Sequence, residues 1–571
     1  MADCAHRPRL PLRLHVAAIA VAAAMLAASC SSDTSDGSAK STNSTTTSTT
    51  TTGSGQAFSH ECTQGATIDK VESTPVTGSD TDHTITSFDG TKIRAHWFPT
   101  ADAKPAPTIL MGPGWSLPGD TSVSGGTAIF GALSIKGMSD RGYNVLTWDP
   151  RGFGKSTGSA QVNFAKAEGR DVQVLLDWVA GQSKAATDGQ GDPRVGMVGF
   201  SYGGGIQLIT AAIDCRVDAI VPGLAWNSLE TGLFKNRTVK QGWASVLVGA
   251  AAAGNLDPHI ISASNSGRET GTLSAEDEAW FIERGPADLV DKIEIPTLFV
   301  QGTVDTLFTL DEAITNHAAL VARGVPTAML WFCGGHGVCL VNPGDTTRVT
   351  EASFAWLDRY LKGDTSAAAV PRFETVDQNG TSWTADAYPE KADRTISATF
   401  NSPGTLALEA DSAAGPITVP PEITDILGAL VAPITPSPAA RGVEVKIDPG
   451  KIEGLALGAP KLRLTYSGST PGGPEPVRVF AQLIDETRKV IVGNQITPIP
   501  LTLDGKTHTA SVDLEVIAQY LRPGQILTLQ LVASTVAYAM PRLGGTVTFD
   551  QISIKIPVVT KGLTEAARSK G

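Results

Sequence analysis

The chain has 571 residues, of which 41% are hydrophobic and 18% charged, so it is typical of a soluble globular protein with two or three domains. Its net charge of -12 argues against a nucleic-acid partner, because binding a polyanion requires a basic face.

Residues 1–30 have the features of an export leader. Three arginines precede an apolar run from Val16 to Ala28 that is too short to span a bilayer. Cys30, at the end of this run, resembles the lipid-acceptor cysteine of bacterial lipoproteins, so we expect an exported, membrane-anchored protein. Simple secretion after cleavage near Cys30 is the alternative. Residues 31–59 are rich in Ser and Thr and predict a flexible linker.

Residues 60–363 predict an α/β domain. It begins with a hairpin around Asp89-Gly90, after which apolar strand-like runs alternate with helical segments. This alternation predicts a parallel sheet with helices on both faces, and residues 227–291 read as a helical cap inserted in it. The predicted strands are Thr108–Met111, Val145–Trp148, Val195–Gly199, Ala219–Val221, Thr297–Gln301 and Thr327–Phe332.

Residues 364–571 lose helical periodicity. Short alternating runs such as Lys461–Tyr466, Val477–Ile484 and Ile526–Val532 are separated by Gly and Pro turns. We therefore expect an all-β sandwich or jelly roll in this part of the chain.

The candidate nucleophile is Ser201, in the sequence Gly199-Phe200-Ser201-Tyr202-Gly203, which fits G-x-S-x-G. A second match surrounds Ser156, but only Ser201 lies between a predicted strand and a predicted helix. The nucleophile elbow needs that strand–turn–helix arrangement to lift the hydroxyl above the sheet.

A serine hydroxyl needs a base, and the base needs an orienting acid. His336 follows the last predicted strand in a glycine-rich loop, and Asp305 follows the strand before it. The order Ser, acid, His is that of α/β hydrolases. Asp311 is the alternative acid, and His317 is expected on a solvated helix face.

Two backbone donors are expected for the oxyanion. One is the N–H of Tyr202, the residue after the nucleophile. The other should come from the loop at Gly112–Trp115, where Pro113 has no N–H, and we assign it to Trp115.

Four cysteines lie outside the leader: Cys62, Cys215, Cys333 and Cys339. An even number in an exported chain predicts disulfides, and four cysteines allow three connectivities. Because Cys333 and Cys339 flank His336, we expect them to pair, which leaves Cys62 with Cys215. Four reduced, buried cysteines are the alternative. A zinc site is not favoured, because the chain has no C-x-x-C pair.

Several motifs together resemble the X-prolyl dipeptidyl-peptidase and cocaine-esterase family of α/β hydrolases. Cocaine-esterase-like members place a tyrosine hydroxyl in the oxyanion hole, whereas the loop Gly112–Trp115 has no tyrosine. The motifs are Asp149–Ser156, Glu168–Asp171, Gly199–Gly204, Arg284–Pro286, Gln301–Asp305, Phe354–Gly363, Gly458–Leu464 and Leu521–Gln525.

The resemblance implies an α/β-hydrolase domain with a C-terminal jelly roll and a serine mechanism without metal or organic cofactor. The first reading is an acyl esterase acting on a small-molecule ester. An X-prolyl dipeptidyl-peptidase is the second, and would need a carboxylate such as Glu230, Asp277 or Glu278 to bind the substrate's ammonium group. The third reading is a surface-binding lipoprotein with little turnover.

Overall fold

The computed structural model describes residues 71–125, 133–389, 391–419, 426–471, 477–539 and 541–566. The expected leader and linker, with Cys30 and Cys62, lie outside the described residues. No helix in the described part of the chain is long and apolar enough to cross a membrane.

The first part of the chain alternates strands and helices. The strands are β1 (Ser73–Pro75), β2 (Asp82–Thr86), β3 (Lys92–Phe98), β4 (Thr108–Gly112), β5 (Asn144–Trp148), β6 (Thr187–Gly189), β7 (Asp192–Pro193), β8 (Val195–Phe200), β9 (Val217–Gly223), β10 (Thr297–Gly302), β11 (Thr327–Phe332), β12 (Phe373–Val376) and β13 (Ser382–Ala385). The helices are α1 (Ile135–Asp140), α2 (Glu168–Ala180), α3 (Tyr202–Ile213), α4 (Leu229–Leu233), α5 (Gln241–Ala250), α6 (Pro258–Thr270), α7 (Ala275–Ile282), α8 (Leu310–Ala322) and α9 (Arg348–Leu361).

The second part is built mainly of strands. They are β14 (Arg394–Ala407), β15 (Ala413–Ala414), β16 (Val443–Ile447), β17 (Gly454–Gly458), β18 (Lys461–Ser469), β19 (Val477–Asp485), β20 (Val490–Leu501), β21 (His508–Asp513), β22 (Ile517–Leu521), β23 (Leu527–Val532), β24 (Ser534–Thr535), β25 (Thr546–Val559) and β26 (Thr564–Glu565), with one short helix, α10 (Ile426–Val431).

A 12-stranded sheet in the order β1-β2-β3-β5-β4-β8-β9-β10-β11-β12-β13-β26 organises the first part. The strands from β5 to β12 run parallel, and antiparallel strands complete both edges. One apolar core packs α2, α3 and α8 on one face of the sheet, and a second packs α1 and α9 on the other. This is the predicted α/β-hydrolase layering, in which ligand sites form at the carboxyl ends of parallel strands.

Helices α4–α7 lie between β9 and β10, in the interval expected for the cap. Their apolar side chains form a separate cluster with residues of the loops at the sheet's carboxyl edge, including Phe153, Tyr202 and Phe308. The cap therefore covers the sheet edge at which Ser201, Asp305 and His336 are expected.

The C-terminal part is all-β. A 4-stranded sheet, β16-β23-β19-β20, and a sheet containing β21-β18-β25-β17-β22 with β14 consist of antiparallel pairs. Their inward-facing side chains share one hydrophobic core. The jelly-roll connectivity stays a prediction.

His317 differs from the sequence expectation. It lies on α8 with only 6% of its surface exposed, and its ring packs 6.2 Å from that of Phe299 on β10. Burial lowers the pKa of His317 to about 4, so it is a neutral core residue rather than a solvated one.

Candidate functional site

Ser201 sits on a strained turn between β8 and α3. Its φ and ψ are 58° and -117°, a conformation that side-chain-bearing residues rarely adopt. A Cβ on Gly203 would lie 2.1 Å from the carbonyl oxygen of Gly112, so only glycine permits this approach of helix to strand. The turn has the strand–turn–helix geometry of a nucleophile elbow.

Ser156, the other candidate serine, is part of a structural turn. Its hydroxyl donates to the carbonyl oxygen of Asp149 at 2.7 Å and accepts from the backbone N–H of Arg94 at 2.9 Å. Both bonds fasten the loop after β5 to β3, which accounts for this serine without a chemical role.

Asp305 and His336 are hydrogen-bonded. Nδ1 of His336 lies 2.8 Å from Oδ2 of Asp305, which is completely buried. The other carboxylate oxygen accepts the backbone N–H groups of Leu307 and Phe308 at 2.9 and 2.8 Å. Three donors thus fix the carboxylate, which in turn selects the tautomer and direction of the imidazole.

The loop carrying His336 is held by one disulfide and by one close backbone contact. Cys333 and Cys339 form a disulfide with their Cα atoms 5.5 Å apart, the pairing expected for this loop. A Cβ on Gly337 would lie 1.9 Å from the carbonyl oxygen of Val304, so the loop can close on the acid loop only with glycine there. Cys215 is also disulfide-bonded, and Cys62, its expected partner, lies outside the described residues.

Two aromatic rings and a threonine surround the imidazole. The rings of Trp243 on α5 and of Phe308 pack perpendicular to the imidazole of His336, with centroid distances of 5.7 and 5.5 Å. Thr306 accepts from Nε1 of Trp243 and donates to the carbonyl oxygen of His336, both at 3.1 Å. Trp243 and Thr306 were not assigned from the sequence; the position of Thr306 beside Asp305 is the one local signal for them.

Phe308 packs against the imidazole of His336 and lines the same pocket as Ser201. Within the described residues no hydrogen bond joins the two side chains. Catalytic hydrogen bonds are often long in unliganded sites and tighten when substrate binds.

Trp115 is anchored where a second oxyanion donor is expected. Its indole N–H donates to the carbonyl oxygen of Leu247 on α5 at 2.9 Å, and its ring packs edge-on against Phe153 and Tyr202. These contacts fix the loop after β4 beside the start of α3. The backbone N–H groups of Trp115 and Tyr202 are thereby carried on two rigid, adjoining segments.

Tyr202 cannot offer its hydroxyl to a substrate. That hydroxyl donates to Glu168 at 3.1 Å, and the carbonyl oxygen of Tyr202 accepts from the Asn163 amide at 2.7 Å. Burial, with Glu168 beside it, raises the pKa of Tyr202 well above its ordinary value, so the hydroxyl stays protonated. Only the backbone N–H of Tyr202 remains for an oxyanion.

A pocket opens at Ser201 beneath the cap. Its wall is mostly aliphatic and aromatic. The lining includes Trp226, Leu233, Val239, Ala244, Leu247, Val248, Ile260, Ala263, Leu273 and Phe281. Such a wall favours an apolar group on the substrate, since each buried CH₂ contributes about 0.8 kcal/mol.

Three carboxylates were candidates for binding a substrate ammonium group. Asp277 is buried and already accepts hydrogen bonds from His259, Ser262 and Ser274. Glu278 lines the pocket but lies 3.1 Å from the guanidinium of Arg237.

Glu230 also lines the pocket, but it is solvent-exposed at the first turn of α4. Asp311, the alternative acid, lies at the start of α8 and pairs with Lys235 rather than with a histidine. In the described ranges, no group of three or more His, Cys, Asp or Glu side chains could hold a metal ion.

Residues 89–338 match the family model described as X-Pro dipeptidyl-peptidase (S15 family). The resemblance inferred from the motifs is confirmed over this range. Among curated proteins, polyketide transferase grgF from Penicillium sp is 27% identical over 138 residues, which cover 24% of this chain. The chain spans only 42% of the length of that relative.

Solved structures share the fold across both parts of the chain. A CocE/NonD family hydrolase from Staphylococcus aureus is similar with a TM-score of 0.58 and 14% identity, covering 84% of this chain and 93% of that chain. An α-amino acid ester hydrolase has a TM-score of 0.58 and 14% identity, covering 86% and 97%. The α/β-hydrolase region followed by an all-β region is therefore an arrangement that these proteins have in common.

Proposed function

We propose that this chain, an α/β serine hydrolase resembling the S15 and CocE/NonD enzymes, is an acyl esterase with Ser201 as its nucleophile. The observation that carries the proposal is the apolar pocket that opens at Ser201. Ester substrates with an apolar acyl group fit such a pocket, because the acyl chain gains burial while the carbonyl carbon lies at the serine.

The proposed reaction is a two-step acyl transfer. His336 takes the proton of Ser201 as the serine oxygen attacks the ester carbonyl carbon, and then gives that proton to the departing alcohol. Water, deprotonated by the same imidazole, releases the acid from the acyl-enzyme. The 2.8 Å bond between Asp305 and His336 supports this role, because a buried carboxylate stabilises the imidazolium that forms.

In both steps the carbonyl oxygen becomes an oxyanion. We assign its stabilisation to the backbone N–H groups of Tyr202 and Trp115, on the rigid segments described above. Fixed dipoles of this kind need no reorganisation during the reaction, and removing one oxyanion donor from a serine hydrolase costs about 100- to 1,000-fold in kcat.

A dipeptidyl-peptidase is the second candidate, and the S15 family match favours it. Such an enzyme must bind the free ammonium group of its substrate. Of the three candidate carboxylates, Asp277 is saturated by hydrogen bonds and Glu278 is paired with Arg237, which leaves Glu230, exposed in the pocket lining, as the carboxylate that would have to bind the ammonium group.

The test compares p-nitrophenyl acyl esters with Gly-Pro-p-nitroanilide as substrates of the purified protein. We expect turnover of the esters and little of the anilide, with Ser201→Ala abolishing both activity and fluorophosphonate labelling. Ser156→Ala is the matched control and should retain both. Preferential cleavage of the anilide would favour the peptidase, and a folded protein without turnover or labelling would contradict both hydrolase readings.

We also propose that the enzyme acts outside the cytoplasm, anchored through Cys30. The disulfide between Cys333 and Cys339 supports an oxidising compartment. Mass spectrometry of the mature N-terminus tests the anchor: a diacylated Cys30 is expected, and an unmodified terminus downstream of it would mean simple secretion.

A further inference from the structure

Strand β20 of the all-β region is interrupted by a bulge. Gln482 of β19 pairs with Ile496 of β20, but Ile484 pairs with Ile491, so residues 492–495 bulge opposite Leu483. Gly493 and Asn494 have φ angles of 64° and 59°, in the left-handed region. Bulges of this kind redirect side chains away from the regular ladder and are over-represented beside active sites.

The bulge meets both loops of the proposed triad. The side-chain amide of Gln495 donates to the backbone carbonyl oxygen of Asp305 at 2.8 Å. The side-chain amide of Asn494 donates to the backbone carbonyl oxygen of Val338, two residues after His336, also at 2.8 Å. Both amides are buried, with 6% and 2% of the residue surface exposed.

The bulge lies against the backbone of both loops. A Cβ on Gly493 would lie 3.0 Å from the carbonyl oxygen of Thr303 in the acid loop. A Cβ on Gly337 in the base loop would lie 3.7 Å from the amide nitrogen of Asn494. The acid loop, the base loop and the bulge therefore form one three-way contact.

These two hydrogen bonds act on the peptide groups that carry the acid and the base. The loops follow β10 and β11 and have no ladder partners of their own beyond the strand ends. Fixing the Asp305 carbonyl fixes the backbone from which its carboxylate reaches His336. Fixing the Val338 carbonyl restrains the base loop between His336 and the disulfide at Cys339.

We propose that Asn494 and Gln495 are positioning residues that fix the acid and the base of the triad relative to each other. On this proposal, which rests on the function proposed above, the all-β region is required for the chemical step as well as for the stability of the fold. The two donors belong to the all-β region, whereas the nucleophile belongs to the α/β region. The active site is therefore complete only when these two regions are assembled.

The test uses the full chain with Gln495→Met, which removes the amide but keeps side-chain length, and Asn494→Gly, which keeps the left-handed backbone. The matched control is Gln482→Met. Gln482 is equally buried in the same sheet, but its amide bonds Gln530 within the all-β region. The measurements are kcat and KM for a p-nitrophenyl ester across pH, thermal unfolding, and amide hydrogen exchange in residues 303–309 and 333–341.

We expect each of the two test variants to lower kcat at least tenfold with KM within twofold, to shift the acidic limb of the pH profile, and to raise exchange in both loops. Gln482→Met should lower the unfolding temperature but leave kcat within twofold. Unchanged kcat and exchange in Gln495→Met and Asn494→Gly, or an equal loss of kcat in Gln482→Met, would overturn the proposal. If one test variant does not fold, the other decides.

The two proposals fail in different ways. If the unmodified protein neither hydrolyses esters nor reacts with fluorophosphonate, the proposed function is wrong, whereas the exchange experiment still shows whether Asn494 and Gln495 restrain the two loops. If the unmodified protein is active and the variants match it, only the positioning role is wrong.

Discussion

The hydroxyl of Tyr202, the residue after the proposed nucleophile, donates a hydrogen bond to Glu168, a carboxyl with only 3% of its surface exposed. The same carboxyl accepts the backbone N–H groups of Gln161 and Phe164 at 2.6 and 3.0 Å. It thereby ties the start of α2, the preceding loop and the nucleophile helix together. A buried titratable group thus holds the segment that carries Ser201.

This carboxyl should make stability depend on pH. Burial raises the pKa of Glu168 to about 7 from 4.5, while the N–H of Gln161 opposes the shift. The unfolded chain therefore loses its proton at lower pH than the folded one, so the stabilisation present below pH 4.5 is lost as the pH rises to about 7. The loss is roughly 3 kcal/mol, at about 1.4 kcal/mol for each unit of pKa.

Glu168→Gln should remove this contribution. We expect the difference in unfolding free energy between the unmodified protein and Glu168→Gln to fall by roughly 2.5 kcal/mol from pH 5 to pH 8 in urea titrations. Glu276→Gln, at an exposed position of α7, should give a difference that does not change with pH. Parallel curves for Glu168→Gln would contradict the assignment.

Asp305→Asn should reduce kcat by about 10⁴-fold, because an amide holds the imidazole in the wrong tautomer. Its effect on stability should be small, since the amide oxygen can still accept from Leu307 and Phe308. The control is Asp311→Asn, the alternative acid, for which we expect kcat within twofold. Steady-state kinetics and thermal unfolding measure both, and a larger loss in Asp311→Asn would exchange the two assignments.

Removing the loop disulfide should affect turnover more than stability. The bridge spans a sequence separation of 6 residues, so its chain-entropy contribution is about 2 kcal/mol. In Cys333→Ala/Cys339→Ala we expect fluorophosphonate labelling to slow at least fivefold, because the base loop gains freedom. Cys62→Ala/Cys215→Ala serves as the comparison and should label at the normal rate; equal slowing in both would point to a general effect of destabilisation.

The cap pocket should determine which acyl chains are accepted. Ala244 of α5 lines the pocket, so Ala244→Trp should exclude part of a long chain. Excluding two methylenes costs roughly 1.6 kcal/mol, so kcat/KM for p-nitrophenyl octanoate should fall at least tenfold while that for the acetate changes less than twofold. Ala250→Trp, exposed at the end of the same helix, should leave the ratio unchanged. A uniform loss for both esters would indicate that the pocket does not hold the acyl group.

The sequence predicts the sheet well because its parallel strands are buried on both faces and therefore appear as short apolar runs. Thr327–Phe332 has its predicted bounds, and β8 extends its prediction by Phe200 alone. The loops after these strands carry Asp305 and His336, so the expected order of the site followed from the strand order.

Other features left no local trace. Gln495 reaches Asp305 across 190 residues, and nothing near either residue indicates the bond. The sequence predicts His317 on a solvated helix face, whereas the structure buries it on the inner face of α8 with Ala313, Asn316 and Leu320. Positions 313, 316, 317 and 320 have helical spacing and therefore lie on one face of the helix. Because Asn316 and His317 are polar, a pattern of apolar residues alone does not indicate that this face is buried.

Strand β26 pairs with β13 at the edge of the main sheet, joining Thr384 to Thr564 and Trp383 to Glu565. The partner of β13 is therefore made 180 residues after it. Until β26 has docked, that edge stays open, and its unpaired backbone groups can recruit another strand. A factor that delays folding until the chain is complete would protect this protein during its production. Without such a factor, we expect aggregation to begin at β13.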